Sequence, residues 1–126
     1  MQTISKSQLV SRLDSGDMVV VNVLKKEAYD KIRIKGSVSI PRKELELGRW
    51  QELDKQKEIV VHCSSYECTA SRMAADFLES KGFRVKAYEG GMKEWAEADL
   101  PVEGSLSARQ YLEERYGKPV QLSTGT

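Results

Sequence analysis

The sequence predicts an α/β domain with a parallel central sheet and helices on both faces. Three observations carry this expectation. β-branched runs alternate with amphipathic segments at βα spacing. Met18 to Val23 (MVVVNV) is almost continuously apolar, as a strand covered on both faces should be. The chain has 126 residues, enough for one core and no second.

Taken in order, Ser5-Lys6-Ser7-Gln8 has the capping-box pattern and opens a helix with Leu9, Val10 and Leu13 on its inner face; Gly16 ends it. After the Met18–Val23 strand, Lys25 to Ile32 predicts a short helix with Ala28, Tyr29 and Ile32 inward. Gly36 and Pro41 bracket a strand over Ser37–Ile40, because proline cannot donate to a ladder. Lys43 to Lys57 is polar around Leu45, Leu47, Trp50 and Leu53, predicting one or two short helices. Glu58 to His62 is the next strand.

Thr69 to Ser80 is the clearest helix, with Ala70, Met73, Ala74, Phe77 and Leu78 as one stripe and Gly82 placed as a left-handed cap. Arg84 to Tyr88 is a strand; Gly90-Gly91 turns into a helix with Met92 and a core Trp95, closed by Leu100-Pro101. Ser107 to Tyr116 is an added amphipathic helix, with a loose tail from Gly117 to Thr126.

Twenty basic and 19 acidic side chains nearly cancel, so charge gives no reason to invoke nucleic acid or an anionic membrane. No apolar run reaches the roughly 20 residues of a membrane span, and MQTISKSQL lacks a signal-peptide layout. A cytoplasmic location is expected. Cys63 and Cys68 are the two cysteines, and in a reducing compartment such thiols are catalytic, metal-binding or simply buried. No metal and no organic cofactor is expected. The single histidine, His62, points opposite to Cys63 along a strand and reads as a strand residue, not a ligand or general base.

The informative stretch runs from Val60 to Arg72 (VVHCSSYECTASR). A buried strand delivers Cys63 to the carboxyl edge of the sheet, where open α/β sheets bind ligands. Ser64, Ser65, Tyr66, Glu67, Cys68 and Thr69 form a loop into a helix, whose N–H groups and helix end make an anion-binding concavity. A cysteine at that rim is expected as a thiolate nucleophile; the competing reading is a buried small hydrophobe.

With those residues in view, the chain resembles the rhodanese-like domain family from about Val10 to Glu103. The resemblance rests on Val20 to Pro41, on the Cys63 loop with its helix, and on Tyr88 to Val102 (YEGGMKEWAEADLPV), which matches the family's Gly-Gly…Trp…Leu-Pro ending. It implies a three-layer α/β/α domain over residues 1–104, with a C-terminal helix and tail over 105–126. It also implies a sulfurtransferase whose Cys63 takes sulfane sulfur as a persulfide and passes it to a thiophilic acceptor. The partners would be a small-molecule or protein persulfide donor and a thiol acceptor, with a homo-oligomer through the C-terminal helix as a further expectation.

Three departures stand out. Asn22-Val23-Leu24 replaces a frequent Asp-x-Arg, and Ile32-Arg33-Ile34 replaces Gly-His-Ile. In the loop, Ser64 and Cys68 stand where basic residues are frequent, and Glu67 adds a negative charge that should disfavour an anionic donor such as thiosulfate. Cys68 has two readings: a resolving thiol toward Cys63, or a small residue in the first helical turn. Arg72 either reaches the loop mouth or is a solvated surface arginine, and Thr69 and Ser71 read as cap and helix-face hydroxyls. The rival classes are a Cys63/Cys68 redox module, a non-enzymatic binding domain and a cysteine phosphatase. The last resembles a Cys-x5-Arg pattern, but the sixth position after Cys63 is Thr69.

Overall fold

The computed structural model describes residues 2–117. Its elements in order are β1 (Gln2–Thr3), α1 (Lys6–Arg12), β2 (Met18–Asn22), α2 (Lys26–Lys31), β3 (Arg33–Ile34), β4 (Val38–Ser39) and α3 (Arg42–Leu47). A 3-10 turn at Arg49–Glu52 leads to β5 (Glu58–His62), α4 (Ala70–Ser80), β6 (Val85–Tyr88), α5 (Gly91–Glu97), β7 (Val102–Glu103) and α6 (Ala108–Tyr116). The sheet is parallel throughout, in the order β1-β6-β5-β2-β4, and β3 pairs antiparallel with β7 beside it. The expected three-layer α/β/α fold is present.

Period-two alternation sends the central strands into two separate cores. Val20 and Val60 lie with Leu9, Tyr88, Met92, Trp95, Tyr111 and Leu112, under α1, α5 and α6. Val21, Val61 and Cys63 lie with Leu45, Ala74, Ala75, Leu78 and Phe83, under α3 and α4. Register puts Asn22, His62 and Tyr88 in one row across β2, β5 and β6 at the carboxyl end of the sheet. Trp95 is fully buried as expected, and its indole N–H donates to the Pro101 carbonyl at 2.9 Å.

Both capping-box helices begin as their chemistry dictates: Ser5 with Gln8, and Ser107 with Gln110, exchange side-chain and backbone hydrogen bonds. α6 buries Ala108, Tyr111 and Leu112 in the first core, so its apolar side is used within the chain. The tail expected over Gly117–Thr126 lies, from Lys118 onward, outside the described residues.

Several expectations are corrected. Val10 is 42% exposed and Met73 47% exposed, so neither faces a core; the buried stripe of α4 runs through Ser71, Ala74, Ala75 and Leu78 instead. Ser71 lies on the buried face of that helix. The strand expected over Ser37–Ile40 pairs only at Val38–Ser39. The two-residue strands β1, β3 and β7 have no periodic signal, because each exists only by pairing with a distant partner.

Candidate active site

β5 ends at His62, and Cys63 follows at the carboxyl edge, 1% exposed and packed into the α3/α4 core. The loop then folds back on itself. The Cys68 N–H donates to the Ser65 carbonyl at 3.1 Å, closing a turn that carries Cys68 over Cys63. The two Cα atoms are 6.4 Å apart, inside the usual disulfide range, and the two sulfurs are joined. Cys63 Sγ also lies 3.5 Å from the Cys68 carbonyl oxygen. The helix begins at Ala70, so Cys68 belongs to the loop and not to the first helical turn, which corrects that expectation. Thr69 makes no side-chain cap bond, so its expected capping role is also corrected: its backbone is already helical, whereas a capping side chain works from an extended residue.

A segment far along the chain holds this loop from behind. The N–H groups of Met92 and Lys93, in the first turn of α5, donate to the carbonyls of Cys63 (3.0 Å) and Ser64 (2.8 Å). Gly91 makes the approach possible. It has φ +64°, and a Cβ there would stand 2.6 Å from the Cys63 oxygen and 2.8 Å from the Ser65 nitrogen. With the loop carbonyls engaged on that side, the N–H groups of Ser64, Ser65, Tyr66 and Glu67 meet no acceptor among the described residues. Those four amides are what the loop can offer an anion.

Arg72 is tied to the loop and is not a free surface arginine. Its Nη2 donates to the Tyr66 carbonyl at 3.3 Å, and its Nε stands 3.3 Å from the Glu89 carboxylate without hydrogen-bond alignment. Tyr66, 60% exposed, donates through its hydroxyl to Glu94 at 3.3 Å. The buried Tyr88 donates to the other oxygen of Glu94 at 2.7 Å. Burial, then Glu94, holds the Tyr88 phenol far above its ordinary range, and the Glu94 charge raises that of Tyr66. Glu67 is exposed to solvent. Ser64 and Ser65 are half-buried, and Thr69 is exposed.

His62 lies on the opposite face of the sheet from Cys63 and is fully buried. Its Nδ1 is 3.1 Å from the Cys63 carbonyl, which can only accept, so Nδ1 carries the proton. Burial pushes the imidazole down to about 4, with the Cys63 bond acting in the other direction. His62 is therefore neutral at ordinary pH and supports the loop backbone without reaching the thiol. Its Nε2, and Nδ2 of its row neighbour Asn22, have no partner among the described residues. No group of three or more His, Cys, Asp or Glu side chains there could hold a metal.

Glu94, Tyr88, Glu89 and Gly91 were not singled out from the sequence as site residues. The adjacent glycines at 90–91 were the available signal, since a second glycine at a helix start marks a close backbone approach.

Fold and site together define an α/β domain that presents a cysteine from a strand–loop–helix at the carboxyl edge of a parallel sheet. The chain belongs to the rhodanese-like domain family, whose sequence pattern it matches over residues 5–98. It is 33% identical over 100 residues to the HTH-type transcriptional regulator Rv0324 of Mycobacterium tuberculosis. That match takes in 79% of this chain and 44% of the regulator, so the chain spans under half the length of that relative. The BH2092 protein of Bacillus halodurans superimposes with a TM-score of 0.79 at 30% identity, over 85% of this chain and 80% of that one. A thiosulfate sulfurtransferase from Pseudomonas aeruginosa matches with a TM-score of 0.73 at 24% identity, over 85% of this chain and 21% of that one, a likeness of fold. Among the described residues, no helix is long and apolar enough to cross a membrane.

Proposed function

We propose that this chain is a sulfurtransferase in which the reduced Cys63 thiolate takes up sulfane sulfur as a persulfide and yields it to a thiol acceptor. The observation that carries the reading is the loop itself. Cys63 follows β5, and the next four loop N–H groups meet no acceptor among the described residues. A persulfide anion on Cys63 needs donors of that kind. The reaction is an exchange at sulfur: Cys63 attacks the sulfane sulfur, the donor's remainder leaves, and the acceptor then attacks the outer sulfur and frees the thiolate.

The donor is proposed to be a protein or small-molecule persulfide and not thiosulfate. Carboxylates of Glu67, Glu89 and Glu94 lie on or beside the loop, and the nearby Arg72 is already engaged by Tyr66 and Glu89. A doubly charged donor is opposed by those carboxylates more than a singly charged persulfide is. Arg72 stands three residues beyond the sixth position after Cys63, where a phosphate clamp would need an arginine, and the Thr69 found there argues against phosphatase chemistry. The joined Cys63 and Cys68 favour a second reading, a dithiol–disulfide module without sulfur transfer.

The test is intact mass after exposing reduced protein to glutathione persulfide or to thiosulfate, followed by cyanide. The expected result is a gain of one sulfur atom, read in Cys68→Ser where no second thiol can remove it, larger with the persulfide, absent in Cys63→Ser and reversed by cyanide. No sulfur gain with either donor even in Cys68→Ser, with a reversible loss of two hydrogens in wild type on mild oxidation, would replace this reading with the redox module.

A further inference from the structure

The geometry points to Cys68 as a built-in discharging thiol: when no acceptor arrives, it expels the sulfur held on Cys63 as sulfide and closes the Cys63–Cys68 disulfide. This rests on the sulfur-carrier reading of Cys63.

The step balances without outside help. The Cys68 thiolate attacks Cys63 Sγ, the inner sulfur of the persulfide. The bond between inner and outer sulfur breaks, and its electron pair leaves with the outer sulfur as hydrosulfide. The sulfane sulfur is reduced by two electrons and the two cysteines are oxidised by two. The protein product is the disulfide seen in the structure. Attack on the outer sulfur would only move the persulfide to Cys68 and would not yield that product.

The approach of Cys68 is held by contacts other than the disulfide. The Ser65–Cys68 turn curls the loop, and Arg72 grips the Tyr66 carbonyl inside that turn. The first turn of α5 fixes the Cys63 and Ser64 carbonyls, with Gly91 pressed against them. None of these contacts is made by the disulfide itself, and together they bring the two cysteines to close range, so the attack is intramolecular.

Burial also decides how the site is reset. Cys63 is 1% exposed and Cys68 half-buried, so an incoming dithiol reductant meets the Cys68 sulfur. Attack there makes a mixed disulfide on Cys68 and releases Cys63 as the thiolate, the form that accepts sulfur again. The second thiol of the reductant then frees Cys68. The full cycle converts sulfane sulfur to sulfide at the expense of a dithiol.

The experiment is done anaerobically, so that oxidising equivalents come only from the persulfide. Reduced wild type, Cys68→Ser and Cys68→Ala are loaded with glutathione persulfide and desalted; intact mass and free sulfide are then followed. Both variants should keep one sulfur atom, removable by cyanide. Wild type should release one sulfide per chain, lose two hydrogens and be restored by a dithiol. Its persulfide should last at most about one tenth as long as that of the variants, as expected for an intramolecular thiol. Wild type that keeps its sulfur as long as the variants, or variants that release sulfide as fast as wild type, would overturn the proposal. Failure of all three proteins to gain sulfur would instead remove the carrier reading beneath it.

Discussion

Replacing Gly91 by alanine tests whether α5 shapes the cysteine loop. Two costs arise. Gly91 has φ +64°, and a non-glycine residue in the left-handed region loses about 1–2 kcal/mol, offset by about 0.4–1 kcal/mol from the stiffer unfolded chain. The new Cβ would also fall 2.6, 2.7 and 2.8 Å from the Cys63 oxygen, the Ser64 carbonyl carbon and the Ser65 nitrogen. All three are backbone, so no side chain can swing aside, and overpacking of this kind costs about 1–3 kcal/mol. Together the loss is about 1–5 kcal/mol, a large share of the roughly 5–15 kcal/mol that holds a domain folded. Gly16 is the control. Its φ is +81°, but nothing among the described residues lies within 4 Å of its missing Cβ, so Gly16→Ala carries the conformational cost alone, about 0–1.6 kcal/mol. Urea unfolding of both variants under reducing conditions isolates the contact as the difference between them. Sulfur loading measured in parallel should fall in Gly91→Ala and be unchanged in Gly16→Ala. Equal stabilities, with loading intact in both, would refute the claim that this glycine lets α5 form the loop.

Two other outcomes follow from the site. His62 is depressed from 6.5 to about 4, so between those values the unfolded chain binds a proton that the folded chain refuses. The stabilising contribution is complete above pH 6.5 and is lost as pH falls toward 4, amounting to about 2 kcal/mol between pH 7 and pH 5. Urea midpoints at the two pH values should show this drop in wild type, with the difference reduced by that amount in His62→Gln; an unchanged slope in the variant would assign it to other groups. Glu94→Gln keeps one acceptor oxygen for the Tyr88 and Tyr66 hydroxyls, puts an NH2 donor at the other position, and removes the charge that raises Tyr66. Ultraviolet titration of the phenols should therefore show the exposed Tyr66 ionising at lower pH, and no shift would mean that Glu94 does not govern it.

The local frame of the domain is legible in the amino-acid order. β-branched runs specify β2 and β5, since only a strand covered on both faces tolerates continuous apolar side chains. The Ser5/Gln8 pair sets one helix start because its hydrogen bonds span three residues. The order strand, loop, helix was enough to put Cys63 at the carboxyl edge of the sheet. Burial of Val10 and Met73 was misjudged because a helical stripe says which residues share a face, not how far the neighbouring element covers it.

The curvature of the loop and its surroundings depend on contacts between distant segments. Tyr66 meets Glu94 across a separation of 28 residues, and the Cys63 and Ser64 carbonyls meet N–H groups from the same distant helix. Cys68 comes over Cys63 because a turn, an arginine and a glycine-fronted helix bend six loop residues back on themselves. Loop curvature is set by contacts made across the sheet edge after folding, and no local propensity in the stretch from Ser64 to Thr69 encodes them.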